Sequence, residues 1–365
     1  MSDMKVCPEC GVPALITGLH EWLDNGDIVQ KRNGRSRLVF IESENIDPLL
    51  DNIEDMIGLP IEHVVVTAVR RAVRSYVART VPNDIRELIQ KRELDPTPVA
   101  QALAEIPRIA GYGGIEFVAI RHNQDEDDYY KVRMLEPFST PLASASIAGA
   151  AEAVLGGNRE MTCTREFGDT YMVSVFPMPH REELRNRMRL RPYLHRRGQV
   201  ELSRCTSCGG PMGLADYAWK LDRGVISSKT TGRRMVIMGP QELDLMFDEL
   251  RRELGDAIDN VVVEAQRRFT VNGFYSIDEA PDEEGFRSML ALRGLGDMKE
   301  IVLNRRRLEM RLDNAALHLI VIGMMQGVFD SYMDTDSVVE WELSADGSLE
   351  LAVSRRVAAT NLRTA

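Results

Sequence analysis

The stretch CPECG at residues 7–11 has a counterpart 198 residues later, CTSCGG at residues 205–210. Each stretch places two cysteines at C-x2-C spacing with a glycine directly after the second cysteine, which is typical of a zinc knuckle. A structural zinc ion takes four ligands, and neither stretch has a second cysteine pair or a nearby His-x3–5-His. We therefore predict that Cys7, Cys10, Cys205 and Cys208 share one tetrahedral metal site.

Other arrangements of these cysteines stay open on the sequence. The two pairs could be vestigial or independent sites completed by other ligands, such as His20 for the first pair. A redox C-x-x-C pair is a further interpretation, but such pairs normally sit at a helix N-terminus, whereas strands and a turn are predicted here. Zinc is the predicted ion, and iron is not excluded because four thiolates suit both metals.

The similarity between the two cysteine stretches continues along the chain in register. Three further pairs of segments align at offsets of 198, 197 and 183: residues 23–35 with 221–233, residues 57–72 with 254–269, and residues 111–120 with 294–303. Farther on, Gly149 falls opposite Gly323. We predict an internal duplication, with a first repeat at 1–176, an arginine-rich linker at 177–204 and a second repeat at 205–365.

Each repeat is predicted to be an α+β unit, in which a cysteine knuckle and a small β-hairpin precede helices and an antiparallel sheet. Two tandem copies related by a pseudo-twofold axis are the predicted arrangement. In the first repeat, apolar spacing predicts helices at 47–57, 63–78 and 141–155, more helix between 83 and 109, and strands at 115–121, 129–135, 160–166 and 170–176.

Composition narrows the class of protein. A net charge of -11 argues against a protein that coats nucleic acid, and 44% apolar residues are typical of a globular chain. No apolar stretch approaches the roughly 20 residues that span a bilayer, and residues 1–10 lack the apolar region of a secretory signal. We predict a cytoplasmic protein that has neither a membrane nor nucleic acid as a partner.

One segment resembles a known family. Residues 129–177 are similar to the C-terminal part of 4-vinyl-reductase-type domains, also called hydrocarbon-binding domains, found in bacteriochlorophyll-synthesis proteins and in sensor modules of aromatic-responsive activators. The similarity covers about 50 residues well and about 70 preceding residues loosely. The matching elements are a valine-rich strand at 132–134, an Ala–Gly pair at Ala148 and Gly149, Cys163, and a Gly–Asp pair at Gly168 and Asp169.

This sequence departs from the family pattern in two places. The second cysteine that often follows Gly–Asp is absent, and Met172 lies near its place. The second repeat keeps only Gly323 and a weak echo in ADGS at residues 345–348. These departures put a ligand site in the second repeat in doubt.

The resemblance implies that a small apolar molecule, an aromatic, a lipid or a tetrapyrrole, binds between helices and sheet. Ala148, Gly149, Cys163 and His318 are the candidate ligand-binding residues. Each has a plainer interpretation: tight helix packing for the Ala–Gly pair, a buried thiol for Cys163 and a core histidine for His318. Exposed helix arginines need no function, but the recurrence of Arg70 at Arg267 suggests a common structural or interface role.

The sequence contains no Ser/His/Asp order, nucleophile elbow or HExxH motif, so no catalytic residue is predicted. We predict a zinc-containing, non-catalytic protein that binds a small apolar ligand or serves as an accessory subunit. The alternatives are a structural or assembly subunit of a larger complex, and a reductase-like enzyme acting on a tetrapyrrole or aromatic substrate. The predicted partner is the ligand or another protein, and a homodimer stays open.

Overall fold

The computed structural model describes residues 5–178, 190, 192–275 and 282–356. In those residues the chain forms ten α-helices and fourteen β-strands, and all strand pairs are antiparallel. The predicted α+β class is therefore confirmed. No helix within the described residues is both long and apolar enough to cross a membrane.

We call residues 5–178 the first half. Its elements are, in chain order, α1 (Ala14–Leu19), β1 (His20–Trp22), β2 (Ile28–Gln30), β3 (Arg37–Glu42), a 3-10 turn (Ser43–Asn45), α2 (Ile46–Ile57), α3 (Glu62–Thr80), α4 (Asn83–Gln90), α5 (Thr97–Ile109), β4 (Gly114–Arg121), β5 (Tyr129–Leu135), α6 (Thr140–Leu155), β6 (Arg159–Phe167) and β7 (Thr170–Pro177).

We call the described residues from 203 to 356 the second half. Its elements are a 3-10 turn (Met212–Asp216), β8 (Tyr217–Lys220), β9 (Val225–Ser228), β10 (Arg234–Met238), α7 (Gln241–Leu254), α8 (Ile258–Phe269), an irregular helical segment (Thr270–Phe274), α9 (Glu283–Leu292), β11 (Asp297–Leu303), β12 (Arg307–Asp313), α10 (His318–Met333), β13 (Ser337–Leu343) and β14 (Leu349–Arg355). Residues 179–189 and 191 of the predicted linker lie outside the described residues.

The elements predicted for the first half agree closely with the structure. Helices α2, α3 and α6 and strands β4 to β7 begin and end within two residues of their predicted bounds, and α4 and α5 supply the additional helix. Helix α2 shows why: Ile46, Leu49, Leu50 and Ile53 recur at helical spacing and are buried, and the helix ends at Gly58 with a φ of +68°.

A six-stranded sheet joins the two halves, with strand order β1-β2-β3-β10-β9-β8. Strands β3 and β10 pair at its centre, where Ile41 lies opposite Val236 and Phe40 opposite Ile237. The runs LVFI at 38–41 and MVIM at 235–238 are buried throughout, because both faces of the sheet are covered. Continuous apolar runs of this kind are typical of a fully buried strand.

Each half also has its own four-stranded sheet, and the two sheets have the same strand order. The order is β4-β5-β7-β6 in the first half and β11-β12-β14-β13 in the second. The first strand of each sheet, β4 and β11, contains a register shift. Behind the sheets, α3 packs on α6 and α8 packs on α10.

The halves exchange their central strands and the helices that follow them. Helix α2 of the first half packs on α8, and α7 of the second half packs on α3. The exchange is reciprocal in detail, because the N–H of Phe40 donates to the carbonyl of Arg293 and the N–H of Ile237 donates to that of Ala110, each at 2.8 Å. Each half therefore completes the core of the other.

The register of α6 and α10 corrects one part of the sequence comparison. Helix α10 begins at His318, 178 residues after Thr140 of α6, and β5 and β12 are separated by the same interval. This interval puts Gly327, rather than Gly323, at the place of Gly149. Both helices contain small residues about one turn apart. Aligning Gly149 with another glycine by identity alone therefore placed it one helical turn away from its structural counterpart.

Candidate metal centre and apolar cavity

The two cysteine stretches fold into the same tight turn. The N–H of Cys7 donates to Val12 at 2.8 Å and the N–H of Gly11 donates to Cys7 at 2.9 Å. In the second stretch, the N–H of Cys205 donates to the carbonyl oxygen of Gly210 at 2.8 Å, and the N–H of Gly209 donates to that of Cys205 at 2.9 Å. Gly11 and Gly209 have φ values of +72° and +71°, a conformation that glycine adopts without strain. This requirement explains the glycine after each C-x2-C.

The turns face each other and bring the four sulfur atoms together. The Sγ atoms of Cys7 and Cys205 are 3.6 Å apart, as are those of Cys10 and Cys208, and no two of the four are separated by more than 4.8 Å. Four thiolates at about 2.3 Å from a tetrahedral zinc ion are about 3.8 Å apart from one another. The cysteines are free thiols rather than disulfides. The cluster thus fits a single tetrahedral metal ion.

Hydrogen bonds and burial around the sulfur atoms shift the pKa values of two cysteines and of Glu9, and Glu9 links the two turns. The backbone N–H of Cys10 is the main influence that lowers the pKa of Cys7, to about 7, whereas burial raises the pKa of Cys10 to about 12. Metal coordination deprotonates a thiol outright. The Glu9 carboxylate reaches across and accepts hydrogen bonds from the hydroxyls of Ser207 and Thr206, both at 2.7 Å, which lowers the pKa of Glu9 to about 2.

His20, the alternative ligand for the first cysteine pair, lies elsewhere. Its Nδ1 is 3.1 Å from the carbonyl oxygen of Ile16, and burial lowers its pKa to about 4. It does not belong to the group of possible ligands, which among the described residues consists of the four cysteines alone. Helix α1 begins at Ala14, four residues after Cys10, so neither cysteine of this pair starts a helix.

An apolar cavity of about 140 Å³ lies inside the first half. Its walls come from α3, α5 and α6, from β3, β4 and β5, and from the β10–α7 junction of the second half. The small residues Ala143, Ala150 and Ala151 of α6 and Leu103 of α5 are among the lining residues. An apolar cavity of about 150 Å³ is large enough to hold benzene.

One acidic residue stands at the wall of this cavity. Glu242 of α7 is 5% exposed, and its Oε1 accepts from the Gly239 N–H at 3.1 Å and from the Tyr112 hydroxyl at 3.3 Å. Its Oε2 is buried without a hydrogen-bond partner. Burial raises the pKa of Glu242 to about 7, against an ordinary value of 4.5. The second half therefore supplies a polar group to a cavity of the first.

The corresponding space in the second half is occupied by larger side chains. With α6 and α10 aligned at the interval of 178 residues, each of three cavity positions has a larger residue in α10, and all three are buried. The residues at these positions are Ala143, Ser146 and Ala151 in α6, and Val321, Met324 and Phe329 in α10. At these three positions the two halves differ in side-chain size.

The candidate ligand-binding residues lie outside the cavity lining. Ala148 is fully buried, and Gly149 packs against α3, because a Cβ at Gly149 would lie 2.4 Å from the carbonyl oxygen of Arg70. Cys163 is exposed on β6, rather than buried. His318 begins α10 and lines a second cleft with Asp244, and burial lowers the pKa of His318 to about 4.

The recurring arginines have matching structural roles. Arg70 pairs with the buried Glu152 of α6, and Arg267 pairs with the buried Asp330 of α10 at 2.7 Å. These acids are 178 residues apart, in the register of the two helices. The arginines tie α3 to α6 and α8 to α10, in agreement with a common structural role.

Sequence reasoning missed the cavity walls and Glu242. An acidic residue near the start of a helix is usually exposed, and nothing in QELDLMFDEL at 241–250 marks Glu242 as buried. Only the packing of α7 on α3 places it against the first half. A signal was available in the alignment of the chain with itself: at the offset of 197, Glu242 falls opposite Asn45, next to a predicted core helix.

Comparisons with known proteins add little to this picture. No protein-family model matches the chain, and no curated protein matches it. A solved H-NOX mutant of T. Tengcongensis matches at 10% identity and a TM-score of 0.23, over 33% of this chain and 76% of that one. An H-NOX mutant from Cs with an unnatural amino acid matches at 10% identity and 0.24, over 39% and 83%. TM-scores this low carry no argument about fold or ligand.

Proposed function

We propose that this chain is a small-ligand-binding protein built by internal duplication, in which one shared zinc ion joins the two repeats and the first repeat holds the ligand. The observation that carries the ligand-binding role is the apolar cavity of about 140 Å³ behind α6. A well-packed interior contains few voids larger than a water molecule. A space of this size with an acidic group at its wall is therefore a candidate binding site.

Three observations support the duplication. The outer sheets have the same strand order, the central strands are exchanged reciprocally, and the pairs Arg70–Glu152 and Arg267–Asp330 occur in the same register. A pseudo-twofold axis between β3 and β10 relates the two cysteine turns. On this proposal the metal lies on the axis and takes two ligands from each repeat.

The resemblance to 4-vinyl-reductase-type domains is consistent with this role. The segment that carries it, residues 129–177, comprises β5, α6, β6 and β7, and two of these elements, β5 and α6, form walls of the cavity. We propose that the first repeat is a divergent member of that family. On this proposal the second repeat has kept the strand order and the helix packing of the family but has lost the cavity.

Titration with benzofuran, a compact apolar molecule, tests the ligand-binding role. We expect one benzofuran per chain by isothermal titration calorimetry, and we expect Ala151→Phe to weaken binding at least tenfold by filling the cavity with the side chain found at Phe329. Ala102→Phe, at an exposed position of α5, is the matched control and leaves binding unchanged.

Overpacking can cost about 1–3 kcal/mol, so thermal unfolding of Ala151→Phe is measured alongside. The milder Ala143→Val, which copies Val321, keeps the test valid if Ala151→Phe unfolds. The ligand-binding role is wrong if the wild-type protein does not bind benzofuran, or if both filling variants bind it as the wild type does.

A further inference from the structure

We propose that Tyr130 recognises the ligand of this cavity by donating a hydrogen bond from its hydroxyl group. The ligand is then an apolar compound of one or two rings that has a hydrogen-bond acceptor, such as a carbonyl oxygen. The inference rests on the proposed ligand-binding function, and it names the recognition residue and the ligand class.

The hydroxyl group of Tyr130 is buried and has no partner in the protein. Tyr130 lies on β5, lines the cavity and is 8% exposed. Its hydroxyl makes no hydrogen bond within the described residues, and burial alone raises the pKa of Tyr130. Unlike Oε2 of Glu242, the Tyr130 oxygen is not sealed from water by the atoms around it. A molecule in the cavity can therefore reach this hydroxyl group.

Four other residues of the cavity lining have a hydroxyl group, and each of these groups is hydrogen-bonded within the protein. Tyr112 donates to Glu242 at 3.3 Å, and Ser146 donates to a backbone carbonyl of its own helix at 2.8 Å. The other two accept side-chain N–H groups, and these pairs are Tyr76 with Gln30 at 3.2 Å and Ser36 with Asn33 at 3.0 Å. Of the hydroxyl groups at the described wall, that of Tyr130 is the one left to a ligand.

A water molecule is a poor partner for Tyr130 in this space. A buried water typically makes about three hydrogen bonds, whereas the cavity walls are mostly alanine, valine, leucine and isoleucine. A buried donor without an acceptor costs free energy. An acceptor on an apolar ligand satisfies the hydroxyl group, while the ring of the ligand fills the apolar space.

The second half has an apolar residue at the matched place. Tyr130 pairs with Val175 of β7, and Leu308 of β12 pairs with Val353 of β14, both 178 positions later. Leu308 is 1% exposed. Because leucine is accommodated at the same place of a sheet with the same strand order, the fold does not require a hydroxyl group there. The hydroxyl occurs in the half that has the cavity.

Size and polarity set the rest of the ligand class. A cavity of about 140 Å³ admits a benzene-sized ring or a compact fused pair. Further polar groups on the ligand would lack partners at the apolar walls, and a charged group would cost still more free energy to bury. Neutral aromatic ketones, aldehydes and ethers meet these conditions.

Acetophenone and isopropenylbenzene form a matched pair of probes. They have the same shape, and acetophenone has a carbonyl oxygen where isopropenylbenzene has a methylene group. Because the two compounds differ in hydration, each probe is compared between variants. In calorimetric titration of the full chain, Tyr130→Phe should raise the Kd of acetophenone about fivefold to fiftyfold, the range expected when a buried acceptor loses its donor. The Kd of isopropenylbenzene should change less than about twofold.

The carbonyl stretching band of bound acetophenone reports the hydrogen bond directly. A hydrogen-bond donor lowers the frequency of this band, so bound acetophenone should absorb at a lower wavenumber in the wild type than in Tyr130→Phe. Tyr129→Phe is the matched control, because neighbouring side chains of a strand point to opposite faces of the sheet and Tyr129 does not line the cavity. This variant should leave both affinities and the band unchanged.

Tyr130→Phe removes a hydroxyl group that has no protein partner, so the variant should unfold at or above the wild-type midpoint. No change, or equal changes, in the two Kd values would overturn this inference and leave the proposed function standing. Binding of isopropenylbenzene without acetophenone, or failure of both probes in a wild type that binds benzofuran, would do the same. Failure of the wild type to bind any of the three compounds would overturn both.

Discussion

The two halves of this molecule have the same frame and different interiors. Their outer sheets share one strand order, and in each the helix after the second strand is tied to its neighbour by an arginine–carboxylate pair. Yet α6 has alanines beside an apolar cavity, whereas α10 has Phe329 and larger aliphatic residues. The comparison teaches that strand pairing and helix exchange fix the shared topology, while the interiors differ in side-chain size along α6 and α10 and in the helices α4 and α5 that the first half adds.

The largest effect is expected from disrupting the cysteine cluster, to which each half contributes two residues. Cys205→Ser with Cys208→Ser removes half of the ligands, so the metal should be lost. Structural zinc contributes on the order of 10 kcal/mol in small zinc domains. In this larger chain we expect at least several kcal/mol of lost stability in urea unfolding, with the first half affected as well as the second.

Cys163→Ser is the matched control for the cysteine variant. Cys163 is exposed on β6 and outside the sulfur cluster, so its replacement should leave the unfolding midpoint unchanged. If the double serine variant unfolds at the wild-type midpoint, the cluster does not stabilise the frame.

The second effect concerns the interior that the halves do not share. Phe329→Ala empties a fully buried position of α10, which should cost about 3–5 kcal/mol because a cavity of this kind relaxes only partly. Chemical denaturation measures the loss. Tyr332→Ala, on the same helix but 57% exposed, should cost far less. Equal losses in the two variants would show that Phe329 does not fill the second half.

The third effect is a pH dependence of stability that arises from Glu242, which lines the cavity of the first half. Burial raises the pKa of Glu242 from 4.5 to about 7, so the folded state holds its proton over a range where the unfolded chain has lost it. Stability from this group is present below pH 4.5 and is lost as the pH rises to about 7. By linkage the loss is on the order of 3 kcal/mol.

Glu242→Gln isolates this contribution. Asp244, whose pKa burial raises to about 6, titrates in the same window, and its contribution cancels when the variant is compared with the wild type at each pH. The stability of the variant relative to the wild type should rise between pH 4.5 and 7. A constant difference across that window would mean that Glu242 ionises at its ordinary pKa.

The smallest effect tests the register that relates the halves. A Cβ at Gly149 would lie 2.4 Å from the carbonyl oxygen of Arg70, and one at Gly327 would lie 2.9 Å from that of Arg267. We expect Gly149→Ala and Gly327→Ala each to cost about 1–3 kcal/mol. Gly18→Ala in α1 meets no atom within 4 Å and should be neutral or slightly stabilising. Opposite signs for the first two variants would break the correspondence of α6 and α10.

Much of the frame could be predicted from the sequence, because short-range signals encode it. The C-x2-C-G spacing identified four residues that the structure brings within 4.8 Å, and the helical period of α2 and α3 gave their bounds. The repeated cysteine stretches also predicted that residues 198 positions apart in the sequence lie close together. None of these signals depends on which helix or sheet packs against which.

The interior could not be predicted, because an apolar pattern tells which face of a helix is buried but not what lies against it. Helix α7 is buried against α3 of the other half, and this contact makes Glu242 part of the cavity wall. Ala148 and Gly149 were predicted to bind the ligand, but Gly149 packs closely on α3, and Ala150 and Ala151 of the same helix line the cavity. Which side of a small-residue helix faces open space depends on the partners of that helix.

The measurement that most directly tests the account is the number of metal ions per chain, from native mass spectrometry of the intact protein. If the two cysteine turns form one site that joins the halves, the wild type carries one zinc ion per chain, and the variant with Cys205→Ser and Cys208→Ser carries none. Two ions per chain, or one ion retained by the variant, would show independent sites and contradict the shared centre.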